Sequence, residues 1–123
     1  MKYLLKGLFA FLFLIDSTLA IAGVADVTDA KAVCNQNSTC DFTVTIQHED
    51  SGWEHYANQW EILSPGGEVL GVRVLLHPHV NEQPFTRSLT DVSIPLSTQT
   101  VRIRARDSVH GYGGKEMIVE LNR

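Results

Sequence analysis

The sequence predicts an all-β fold, a seven-stranded antiparallel immunoglobulin-like β-sandwich over residues 23–123. Apolar and polar residues alternate with period two in short runs, as half-buried strands require. Turn-forming residues recur every 8–14 positions. No stretch carries a convincing helical spacing of apolar residues. The 123 residues, 44% hydrophobic and 20% charged, suit one folded domain and are too few for a second core.

Residues 1–22 read as a signal peptide. Lys2 and Lys6 precede the apolar run Gly7–Ile15, which is too short to span a bilayer. Thr18-Leu19-Ala20 and Ala20-Ile21-Ala22 both fit the small-x-small cleavage rule, so cleavage is expected after Ala20 or Ala22. The expected mature protein is soluble in a bacterial periplasm and has no stable membrane association. Its net charge falls from −4 to −5, because the leader takes two Lys and one Asp with it. An acidic chain without a basic run is a poor partner for nucleic acid or anionic lipid.

The first strand is expected at about 27–34. Cys34 and Cys40 enclose five polar turn-formers, Asn35 to Thr39. In an oxidising compartment this pair is expected to staple a hairpin as a disulfide. The gap is wider than that of a CxxC redox site. Phe42, Val44 and Ile46 form the inward face of the second strand. Trp60 and Ile62 mark the third, which ends at the turn Ser64-Pro65-Gly66-Gly67. Val72 and Val74 are expected inside from the fourth strand, which spans Leu70 to Leu76. A fifth strand is expected at about 86–94. Val101 and Ile103 mark the sixth, with Arg102, Arg104 and Arg106 on a solvated outer face. Met117 and Val119 mark the seventh, and Trp60 should be the largest buried side chain.

Strand direction alternates in such a sandwich, and this places the histidines. His48 ends the second strand, His55 precedes the third, His77 and His79 follow the fourth, and His110 follows the sixth. All five fall at one end. Clustered neutral imidazoles suit copper, iron or zinc, so His48, His55, His77, His79 and His110 are the candidate metal ligands. Asp107, Glu82 and Glu49 are candidate further ligands or acceptors that orient the imidazoles, and Asp50 and Glu54 lie in the same region. No catalytic residue is assigned. The expected function is exported metal binding, with a transition metal ion as cofactor and another periplasmic protein as a possible partner class. A redox enzyme and a metal-free partner-binding module are the alternatives.

The segment from His48-Glu49-Asp50 through Glu54-His55-Tyr56 to Trp60-Glu61-Ile62-Leu63 resembles the superoxide reductases, the desulfoferrodoxin family. Asp107-Ser108-Val109-His110-Gly111 resembles that family's Cys-x-x-His-Gly ligand loop. The resemblance implies an immunoglobulin-like sandwich with iron held by imidazoles and an axial thiolate, and makes His48, His55 and His110 three of the imidazole ligands. The sequence departs from the family where Asp107 stands at the thiolate position. The His48–His55 loop is one residue longer, and no histidine precedes His48. A carboxylate pushes less electron density onto bound substrate than a thiolate does. The departures therefore count against superoxide reduction and leave the chain leaning away from an enzyme.

Overall fold

A computed structural model describes residues 23–123; the expected signal peptide lies outside them. The described residues form eight strands and no helix: β1 (Asp26–Cys34), β2 (Thr39–Gln47), β3 (Ala57–Leu63), β4 (Val69–Val74), β5 (Phe85–Ser93), β6 (Thr100–Asp107), β7 (Gly111–Tyr112) and β8 (Met117–Glu120). The eighth element is β7, two residues long. It pairs with the upper half of β6 through Arg106 and Asp107, while β8 pairs with the lower half. A two-residue strand is too short for an alternation pattern to reveal it.

The strands make two antiparallel sheets. One has the order β1-β2-β5; the other has β4-β3-β6, with β7 and β8 sharing the far side of β6. Their inner faces meet in one core that includes Phe42, Val44 and Ile46 from β2, Trp60 and Ile62 from β3, and Val101 and Ile103 from β6. Trp60 is the largest fully buried side chain. Cys34 and Cys40 are disulfide-bonded directly opposite each other, at the end of the β1–β2 hairpin.

Strand β4 corrects the expected core. Val72 and Val74 are exposed, and Met117 is only partly buried. The β3–β4 register slips between Ile62 and Leu63. One such slip turns every following side chain to the other face. Gly71 and Leu75 therefore take the inward positions. A Cβ on Gly71 would lie 3.1 Å from Val92 and 3.2 Å from Leu89, so the core closes directly on its backbone.

Of the arginine row, Arg102 is exposed as expected, while Arg104 and Arg106 are half-buried. Arg104 pairs with Glu61 at 2.5 Å and lies 4.0 Å from the centre of the Tyr112 ring; Arg102 pairs with Glu116 at 3.3 Å.

Candidate metal centre

Three segments supply the side chains of the site. His48 follows the last residue of β2, His55 precedes β3, Asp107 ends β6, and His110 lies in the short turn between β6 and β7. Asp107 also pairs with Ala57 across β3–β6, which brings the β3 and β6 ends together. The fifth participant is Gly23, just before β1. Its chain is clamped against the loop before β8. Val27 N–H donates to the Lys115 carbonyl at 2.8 Å, and Lys115 N–H donates to Asp26 at 2.7 Å. A Cβ on Gly114 would lie 2.0 Å from the Ala25 carbonyl oxygen, so only glycine permits this contact.

The three imidazoles converge on the Gly23 carbonyl oxygen. His48 Nε2 is 2.9 Å from it, His55 Nε2 3.1 Å and His110 Nδ1 2.9 Å. Asp107 sits beside the same point. Its Oδ2 is 2.8 Å from His55 Nε2 and 3.0 Å from His110 Nδ1. It also accepts the backbone N–H groups of Val109 and His110. Among the described residues, the ligand atoms of His48, His55 and Asp107 lie within 4.8 Å of one another, a spacing that one metal ion can gather.

The chemistry of this centre favours a cation. Asp50 Oδ1 is hydrogen-bonded to His48 Nδ1. When that nitrogen carries the proton of a neutral imidazole, Nε2 presents a lone pair to the Gly23 oxygen, which presents another. Asp107 adds a buried carboxylate whose Oδ1 has no hydrogen-bond partner. Burial alone would raise the pKa of Asp107; the His110 and Val109 backbone donors, with the His110 and His55 side chains, outweigh it and hold the carboxyl below its ordinary value. An anionic oxygen, a backbone oxygen and imidazole lone pairs crowded together require protons or a metal ion between them. Asp50 fixes the His48 ring as carboxylates do behind metal-bound histidines. It also accepts the backbone N–H groups of Ala57 and His79.

His77 and His79 reach the same end but not this point. The His79 ring stacks on Phe85, with centroids 4.1 Å apart, and its Nε2 accepts a hydrogen bond from Arg87 at 2.9 Å. That nitrogen's lone pair is already used. Desolvation, followed by the charges of Arg87 and His77, lowers the His79 pKa and keeps the ring neutral. His77 is exposed and its Nδ1 contacts the carbonyl oxygen of the adjacent Pro78. Glu82 pairs with Arg87 at 2.9 Å and Glu49 is exposed.

Sequence reasoning assigned no role to Gly23, the first residue after a small-x-small site, and counted Asp50 only as one acid among several. The spacing His48-x-Asp50, at the point where a strand ends, was the available signal for the second.

Comparison with known proteins gives one relative to describe. A protein of Halomicrobium mukohataei named "Putative lipoprotein" is 41% identical over 99 residues, which are 80% of this chain and 47% of that protein. The chain thus spans about half the length of that relative. No family model matches the chain. No solved structure matches it. No helix of the described residues is long and apolar enough to cross a membrane.

Proposed function

We propose that this chain is an exported metal-binding protein. It holds a transition metal ion, copper, iron or zinc, at the end of an immunoglobulin-like sandwich. The ligands are His48, His55 and His110 with the Asp107 carboxylate beside them. The observation that carries this reading is the convergence of the three imidazole nitrogens, each about 3 Å from one backbone oxygen, next to a buried carboxylate with an unpartnered oxygen. Imidazole and carboxylate are the donors these ions take. Export to an oxidising space, with the periplasm as the compartment, is supported by the apolar leader, the Cys34–Cys40 disulfide and the name of the relative.

A redox role on the superoxide reductase plan has weaker support. The position of that family's thiolate is taken by Asp107, whose Oδ2 bonds two imidazoles and two backbone N–H groups. Metal handling needs no such thiolate.

The test is elemental analysis of untagged protein purified from the exported fraction, followed by titration with Cu(II), Zn(II) and Fe(II). A single tight site, lost in His48→Ala and His110→Ala, is expected. Absence of any site above background would make the partner-binding module the better reading.

A further inference from the structure

The packing around Gly23 leaves no room for a side chain. A Cβ there would lie 2.8 Å from His110 Cε1 and 2.9 Å from His55 Cε1. Two imidazole edges therefore close on the bare Cα while three imidazole nitrogens surround the carbonyl oxygen. The backbone of this residue is built into the centre.

The sequence supplies the second fact. Ala20-Ile21-Ala22 places a cleavage signal directly before Gly23. Hydrolysis of the Ala22–Gly23 bond by a leader peptidase and water gives the hydroxyl to the Ala22 carboxyl group and a hydrogen to the Gly23 nitrogen. An amide nitrogen, whose lone pair is delocalised, becomes an α-amine. An α-amine has an ordinary pKa of about 7.7–8.0, so a metal ion displaces its proton readily near neutral pH. The amine and the carbonyl oxygen of one residue can then close a chelate ring on one ion. Cleavage after Ala20 would leave the Gly23 nitrogen acylated, and an amide nitrogen donates to a metal ion only after losing its proton.

Resting on the metal-centre reading above, we propose that Gly23 is the first residue of the mature protein and that its α-amine and carbonyl oxygen complete the metal site. Signal-peptide removal is then the step that activates the protein for metal. Three imidazole nitrogens and an amine nitrogen form a nitrogen-rich set, for which Cu(II) is the tightest of the common divalent ions. The ligand class is therefore a Cu(II)-like divalent ion.

The full-length chain, exported under its own leader, should have the intact mass of residues 23–123. Cu(II) competition titration then compares this protein with one beginning at Ala22, which acylates the Gly23 nitrogen. Affinity should be at least tenfold higher for the chain beginning at Gly23. Labelling glycine with ¹⁵N should alter the nitrogen superhyperfine pattern of its Cu(II) spectrum. A mature terminus other than Gly23 overturns the proposal. So do equal affinities with no label effect, but these leave the imidazole site standing. If neither protein binds Cu(II), Zn(II) or Fe(II), the metal-centre reading fails as well.

Discussion

His48 and His79 use different parts of one buried carboxylate, yet their imidazoles do different things. Asp50 Oδ1 bonds the His48 ring, and its Oδ2 accepts the His79 backbone N–H. On the His48 side the ring's other nitrogen faces only oxygen, joined by two more imidazoles and Asp107. On the His79 side a guanidinium occupies the ring's lone pair, and a phenyl ring stacks on its face. Two histidine groups at one end of a fold thus differ in the charge of their neighbours. Anionic and lone-pair neighbours leave a place for a cation; Arg87 has already filled it.

The largest expected effect is at the shared carboxylate. Asp50→Ala strips the acceptor from His48 Nδ1 and from the buried N–H groups of Ala57 and His79. It should cost roughly 3–5 kcal/mol in chemical denaturation, as loss of one member of a buried pair does. A loss below about 1 kcal/mol would show that Asp50 does not tie the two groups together.

His48→Ala or His110→Ala should next lower metal affinity at least tenfold in competition titration, while His77→Ala leaves it within a factor of two. Equal losses for all three would merge the two groups into one site and break the comparison.

The third effect is a proton equilibrium. The pKa of His79 is below the ordinary imidazole value of 6.5, through burial first and the charges of Arg87 and His77 second. The unfolded chain therefore binds a proton here at higher pH than the folded one. The stability from keeping this ring neutral is present above pH 6.5 and is lost as pH falls below it towards the folded value. An NMR titration of the His79 ring should give a midpoint below 6.5, and Arg87→Gln should raise that midpoint. A midpoint at or above 6.5 would show that the guanidinium does not govern this group.

The smallest effect is the control. Arg102→Ala removes a half-exposed pair with Glu116. It should change stability by less than about 1 kcal/mol and leave metal affinity unchanged. A larger change in affinity would give the arginine row a role in the site.

The second and sixth expected strands were legible because each has a dry face that alternates with a wetter one, and alternation records that directly; the third was legible from Trp60 and Ile62, although Glu61 and Leu63 beside them are buried too. Phe42, Val44 and Ile46 are wholly buried, as are Trp60, Ile62 and Ile103. The gathering of the histidines was legible too, since alternating strand direction sends the ends of β2, β4 and β6 the same way. β4 was not legible. Its valines alternate correctly, but the slip opposite Ile62 reverses which set is inside, and a register slip depends on the partner strand rather than on the strand's own sequence.

The sequence by itself determined the strand periods, the disulfide hairpin and the end of the fold where histidines collect, because these follow from local alternation and chain direction. Only the tertiary structure decided which imidazoles share a centre. That choice depends on contacts between residues far apart in the chain: Arg87 on His79, Asp107 on His55, and the Gly23 carbonyl among His48, His55 and His110. A side chain's donor and acceptor types are written in the sequence, but the neighbour that uses them is set by packing.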